Sequence, residues 1–166
     1  MKCDVNSEVS SVIIYSYYDF QEGIDNIAKQ IEQSEFKPDV IVGIVRGGSV
    51  PAVYLSHRLK IPVQMVHWNT RDSVAWGNES NCWIPEDIMD GKKVLLVDDI
   101  VDGGDTIREL FADWQTSVAG LGNLPVDNIR IACMIYNVSQ NVMPHFYHQT
   151  IDRTEDQRWV IFPWEA

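Results

Sequence analysis

The chain has 166 residues, with 45% hydrophobic and 22% charged side chains, 10 Gly and 7 Pro. That is the size and make-up of one folded domain, and it excludes disordered, collagen-like and low-complexity classes. With 13 Lys plus Arg against 24 Asp plus Glu, the formal charge of -11 argues against an electrostatic grip on nucleic acid or an anionic membrane, since either needs a basic face.

The N-terminal MKCDVNSEVSSVII has no long apolar stretch after its single Lys, and no segment approaches the roughly 20 apolar residues of a membrane span. Residues 20–34 place Ile24, Ile27, Ala28 and Ile31 at helical spacing behind Asp19 as N-cap. Residues 39–45 (DVIVGIV) form a continuous β-branched run, as do 93–97 (KVLLV) and 129–136 (IRIACMIY). Such runs predict strands covered on both faces, as in a parallel sheet. Residues 49–60 predict a helix with Val50, Val53, Tyr54 and His57 on its apolar face. Residues 61–67 (IPVQMVH) predict a strand, with Pro62 near its start where a missing donor is tolerable. Residues 69–90 are polar and lack clear periodicity, which predicts a functional or mobile loop. Residues 105–118 predict another helix through Ile107, Leu110, Phe111 and Trp114, and 141–166 are aromatic and irregular, ending RWVIFPWEA.

Strand and helix thus alternate through the middle of the chain, which predicts βαβ units in a single α/β domain over 1–166 with a doubly wound, mainly parallel sheet. Ligands of such sheets bind beyond the carboxyl ends of the strands. Cys3, Cys82 and Cys133 are odd in number and far apart, so reduced thiols of a soluble, cytoplasmic protein are expected rather than a disulfide framework or zinc site.

The most informative segment is 94–107, VLLVDDIVDGGDTI. A strand delivers Asp98 and Asp99 to its end, and a glycine-containing turn leads straight into a helix. Such a turn exposes successive N–H groups at a helix N-terminus, an anion site suited to phosphate, to which Thr106 can add a hydroxyl. The two carboxylates suit a magnesium ion or sugar hydroxyls beside that phosphate. A plainer reading has Asp98 and Asp99 end a strand, Asp102-Gly103-Gly104 make a turn and Asp105 cap the helix. Three acidic residues within five positions favour function, because clustered negative charge is destabilising without a cation or donors. Arg46-Gly47-Gly48 repeats the arrangement after the strand at 39–45: the glycines allow close approach of backbone to ligand, and the guanidinium supplies charge for phosphate oxygens. Neither GxxxxGK[ST] nor GxGxxG occurs, so a nucleoside-triphosphatase loop and a dinucleotide fingerprint are unsupported.

VLLVDDIVDGGDTI resembles the phosphoribosyl diphosphate signature of the type I phosphoribosyltransferases. VGIVRGG is similar to that family's pyrophosphate loop, and RWVIFPWE to the C-terminal segment of xanthine-guanine and related 6-oxopurine members. The resemblance runs over about residues 12–164 in order. It implies the type I fold, with a flexible active-site loop at about 69–90 and a small C-terminal hood at about 141–166. It further implies a homo-oligomer, dimer or tetramer, and a magnesium-dependent transfer between phosphoribosyl diphosphate and a free purine. Asp98 and Asp99 would hold the ribose hydroxyls and magnesium. Asp102, Gly103, Gly104, Asp105 and Thr106 would cradle the 5'-phosphate, with Asp102 also serving as general acid/base at N7 of the base. Arg46 and Gly47 would contact pyrophosphate, often across a cis peptide. Trp159 would stack on the purine while the main chain of Val160 reads its edge.

Two positions depart from the family. Gly103 stands where Thr is usual, and Asn137 where 6-oxopurine enzymes carry the Lys that donates to O6; Asn137 is accordingly the expected base-reading residue. Arg71 is placed to reach pyrophosphate from the loop or to lie in solvent. Trp164 is expected in the core. His57 is expected to be packed or capped, and His67, His145 and His148 show no metal spacing. KKVLLVDD also resembles the first strand of a phosphoacceptor receiver domain, yet no Lys follows Asp99, which rejects that reading. A non-catalytic phosphoribosyl diphosphate sensor, or a transferase for another base, would use the same residues.

Overall fold

The computed structural model describes residues 11–68, 78 and 83–165; Arg71 and most of the loop expected at 69–90 lie outside them. The elements in chain order are β1 (Val12–Ile14), α1 (Tyr17–Gln33), β2 (Val40–Val45), α2 (Ser49–Leu59), β3 (Val63–His67), α3 (Trp83–Met89), β4 (Val94–Val101), α4 (Asp105–Ser117), β5 (Ile129–Asn137), β6 (Phe146–Ile151) and β7 (Trp159–Ile161). Five strands form one sheet in the order β3-β2-β4-β5-β6, and every pairing is parallel.

Side chains alternate across this sheet, as the two-residue period of a strand requires. Ile41, Leu95, Val97, Ala132 and Met134 face one way, onto Phe20, Ile24, Ile27 and Ile31 of α1 and Ala52 and Leu55 of α2. Val42, Ile44, Val94, Leu96, Ile129 and Ile131 face the other, onto Ile84 and Ile88 of α3 and Ile107, Leu110 and Trp114 of α4. Both faces are therefore covered, which is why β2, β4 and β5 read as unbroken apolar runs. Among the described residues no helix is long and apolar enough to cross a membrane.

Several expectations are corrected. Helix α1 starts at Tyr17, not after Asp19: Ser16 is the N-cap, and Asp19 sits three residues on, where its carboxylate accepts the Ser16 N–H at 3.1 Å while Ser16 Oγ accepts the Asp19 N–H at 3.1 Å. The buried face of α2 is Pro51, Ala52 and Leu55, leaving His57 exposed. The expected loop at 69–90 ends in α3, which buries Ile84, Pro85 and Ile88. The hood expected at 141–166 is divided. Residues 146–151 join the main sheet as its edge strand β6, while β7 pairs with β1 in a separate two-stranded parallel sheet.

An aromatic cluster fixes that small sheet to α1. Phe162 lies 5.2 Å from Tyr15 and stacks on Trp164 at 5.0 Å, and Trp164 meets Phe20 edge-on at 5.0 Å. Trp164 is thus a packing residue, as expected from the sequence.

Candidate active site

The chain steps from β2 to β3 on one side and then to β4 on the other side of β2. Diverging connections at neighbouring strands leave a crevice at their carboxyl ends. Two loops border it: Arg46-Gly47-Gly48 after β2, and the segment from Asp98 to Thr106 around the end of β4 and the start of α4.

The two loops are in close contact. A Cβ on Gly47 would overlap the carboxylate of Asp99, and one on Gly48 would overlap the carbonyl of Val97 and stand 2.9 Å from the Asp98 Cα. Gly48 is thereby restricted to glycine by the backbone of β4, whereas a side chain at position 47 would have to displace the Asp99 carboxylate. The Val45–Arg46 peptide is cis, and Arg46 is exposed.

Asp98 and Asp99 lie within β4, which runs to Val101 instead of ending at 97. Asp98 Oδ1 accepts the Asp99 N–H at 3.0 Å, and Asp99 Oδ1 accepts the Ile100 N–H at 2.7 Å. Burial, reinforced by the charge of Asp99, pushes the Asp98 carboxyl well above the usual carboxylate range. Burial also raises Asp99 to about 6, and the Glu165 carboxylate adds to that push. Both side chains are half-buried, and two adjacent carboxylates resist ionising together unless a cation or hydroxyl donors meet them. Among the described residues no group of three or more carboxylate, imidazole or thiol side chains gathers to hold a metal unaided.

Beyond β4 the chain turns at Asp102-Gly103-Gly104. Gly104, not Asp105, is the N-cap of α4, with φ of 75° in the left-handed region that glycine alone enters without strain. Arg108 donates to the Gly103 carbonyl at 2.9 Å and pairs with Asp105, so a cation flanks the turn. Thr106 follows in the first turn of α4, half-buried.

Asp102 is the centre of a polar network. Its Oδ1 accepts Asn137 Nδ2 at 3.0 Å and Arg153 Nε at 3.2 Å. Asn137 is only 1% exposed. Its Oδ1 accepts the N–H and hydroxyl of Ser139, at 3.1 and 2.7 Å, and the Arg153 N–H at 3.2 Å. The amide is thus engaged within the protein, its Nδ2 on Asp102 and its Oδ1 on Ser139 and Arg153. Arg153 was missed in the sequence, where it lies in the irregular 141–166 segment.

Trp159 on β7 is 55% exposed, and Val160 beside it is buried. The Tyr15 N–H donates to the Ile161 carbonyl at 2.9 Å, so Ile161 directs its peptide groups at β1. By strand alternation Val160 directs its own to the opposite edge of β7. Arg153 joins this wall to the acidic loop, because its Nη1 also donates to the carbonyl of Arg158, next to Trp159. His145 Nδ1 accepts the Ile131 N–H at 3.1 Å, and His67 is exposed.

The family model for the phosphoribosyl transferase domain matches residues 14–166. Xanthine phosphoribosyltransferase 1 of Saccharomyces cerevisiae is 21% identical over 184 residues, spanning 91% of this chain and 88% of that protein. Xanthine-guanine phosphoribosyltransferase of Cereibacter sphaeroides is 30% identical over 138 residues, spanning 75% and 68%. The crystal structure of a purine phosphoribosyltransferase from Pyrococcus horikoshii superposes with a TM-score of 0.66 at 27% identity, covering 94% of this chain and 95% of that one.

Proposed function

The chain belongs to the phosphoribosyl transferase domain family, and we propose that it is a purine phosphoribosyltransferase, which joins a free purine to the 5-phosphoribosyl group of phosphoribosyl diphosphate and releases diphosphate. The observation that supports this reading is the close contact of Gly47 with Asp99 at the carboxyl ends of β2 and β4, with Asp102 following on the same segment and tied through Arg153 to the carbonyl that precedes Trp159.

Each part has a chemical task. The N–H groups of the turn from Asp102 to Thr106, at the N-terminus of α4, receive the 5'-phosphate. Asp98 and Asp99 accept from the ribose hydroxyls. Their oxygens would also hold magnesium, a hard cation that prefers carboxylate oxygen. When bound, magnesium would neutralise charge on the departing diphosphate. Arg46 and the peptide groups around Gly47 receive the same leaving group.

The bond between C1 of the ribose and the diphosphate oxygen breaks as N9 of the base supplies the electron pair for the new C–N bond. Positive charge develops on the ribose ring and is lost as the bond forms. The proton on N7 passes to Asp102, general acid/base help typically worth about a hundredfold to ten-thousandfold. Trp159 stacks on the purine, and the outward main chain of Val160 meets its edge. The relatives' names support xanthine or guanine as the base, and hypoxanthine shares their 6-oxo group.

The test is an assay with magnesium, phosphoribosyl diphosphate and a panel of guanine, xanthine, hypoxanthine, adenine, uracil and orotate, following nucleotide and diphosphate. Nucleotide from a 6-oxopurine is expected. Product from a pyrimidine alone would reassign the pocket, and saturable phosphoribosyl diphosphate binding without product would identify a sensor.

A further inference from the structure

The carboxylate of Asp102 is held on one side only. Asn137 Nδ2 and Arg153 Nε both donate to Oδ1, at 3.0 and 3.2 Å, and among the described residues no hydrogen bond is made to Oδ2. Arg153 is in turn held at its main-chain N–H, at Nε and at Nη1. Its own N–H donates to Asn137 Oδ1 at 3.2 Å, and Nη1 donates to the carbonyls of Arg158 and, at 3.4 Å, Asp156. The side chain is 17% exposed and that of Asp102 27%, whereas the other arginine pairs of the described residues, at Arg58, Arg108 and Arg158, keep their guanidinium side chains 44% to 51% exposed. A long cationic side chain ordered this fully, away from solvent, loses rotamer entropy that an exposed pair would not recover. Its geometry therefore serves something beyond surface charge balance.

We propose that Arg153 is the positioning residue for Asp102. With Oδ1 occupied by two fixed donors, Oδ2 is the oxygen presented to the N7 proton of the base. Because Nη1 of the same guanidinium holds the carbonyl that precedes Trp159, the proton acceptor and the stacking ring are set at one distance from each other by a single side chain. Arg153 itself need not touch the base. The assignment rests on the reading of Asp102 as general acid/base given under Proposed function.

A double-mutant cycle tests it, using the full chain with hypoxanthine or guanine. Arg153→Met is expected to lower kcat about tenfold to a hundredfold, a part of what general acid/base catalysis supplies, with KM for phosphoribosyl diphosphate unchanged. Arg153→Lys, which keeps the charge but not the planar fork, should recover part of the loss. In an Asp102→Asn background the Arg153→Met change should cost less than about twofold, because the group it positions is already gone.

An equal cost in both backgrounds, or a loss confined to KM for the base, would make Arg153 a brace for the 152–158 turn and overturn the assignment. If Arg153→Met fails to give a cooperative melt, Arg153→Lys carries the same comparison in both backgrounds. Absence of product from the unaltered protein with every base would refute the functional reading, and this assignment with it. Activity from the unaltered protein with no coupling between positions 102 and 153 would refute only the assignment.

Discussion

Gly47 and Asp99 occupy adjoining strands' ends so closely that a methyl group on Gly47 would overlap the Asp99 carboxylate. The loop after β2 and the acidic pair of β4 are therefore one surface, and a substitution in the first is felt in the second. Gly47→Ala is expected to displace Asp99 and the backbone that receives the diphosphate. Misplacement of about 1 Å at a reacting centre can cost about a hundredfold, so kcat/KM for phosphoribosyl diphosphate should fall by about that factor. The unfolding temperature should move little, since the contact lies at the carboxyl ends of the strands and outside both apolar clusters. Steady-state kinetics beside a thermal melt decide this: an unaltered kcat/KM would separate the loop from the acidic pair.

The acidic pair also sets a pH dependence of stability. Asp99 is raised by burial to about 6, from an ordinary value of 3.8, so between these values the folded chain retains a proton that the unfolded chain has released. This contribution to stability is complete below the unfolded value and is lost as pH rises through the folded one. Asp98 is shifted in the same direction. Asp99→Asn removes the cost of the buried charge while retaining an oxygen for the Ile100 N–H. The ligand-free variant should melt close to the unaltered protein at about pH 4 and above it at about pH 7, and it should bind phosphoribosyl diphosphate less well, the usual opposition of stability and function at such sites. Melts across this range check the sign; a gap that closes with rising pH would contradict it.

How far this could be read from the chain depended on burial. Strands β2, β4 and β5 are covered on both faces and announce themselves as apolar runs. Edge strand β6, with the sequence FYHQTI, is half exposed along most of its length, and β1 has three residues, so neither carries a strong pattern. The start of α1 was misread by three residues because Ser16 and Asp19 cap it jointly. The DDIVDGGDT turn was legible because its chemistry is local in sequence. The partners of Asp102 were not, since Asn137 and Arg153 reach it from 35 and 51 positions away. Only the parallel packing of β4 on β5, and the turn that follows β6, brings them together.

Two tryptophans near the C-terminus should separate binding from packing. Trp159 is 55% exposed, and stacking of an aromatic side chain on a base is worth about 1 to 3 kcal/mol. Trp159→Ala should therefore raise KM for the purine about tenfold, leaving KM for phosphoribosyl diphosphate and the melting temperature nearly unchanged. Trp164 stacks on Phe162 and meets Phe20 edge-on, and its removal opens a gap between the small sheet and α1. Trp164→Ala should cost about 3 kcal/mol of stability. Kinetics and denaturant melts of the two variants should show opposite losses; a large fall in stability for Trp159→Ala would place that ring in the packing instead.

Asp102→Asn tests the proton transfer with little change of shape. The amide keeps an oxygen to accept from Asn137 and Arg153, so the turn that cradles the 5'-phosphate should stand and phosphoribosyl diphosphate should bind with affinity within about threefold of normal. What is lost is a base for the N7 proton, together with the charge opposite Arg153. The guanidinium then remains beside a neutral partner, and truncating one member of a partly buried pair carries a penalty of its own, smaller here than the 3 to 5 kcal/mol of a fully buried one, roughly 1 kcal/mol. Turnover should fall about a hundredfold to ten-thousandfold, far outside what the change in stability can account for. Calorimetric binding of phosphoribosyl diphosphate with magnesium, set beside single-turnover nucleotide formation, distinguishes the two effects. Normal binding with abolished turnover supports Asp102 as the proton acceptor, and equal turnover in variant and unaltered protein would remove it from the mechanism.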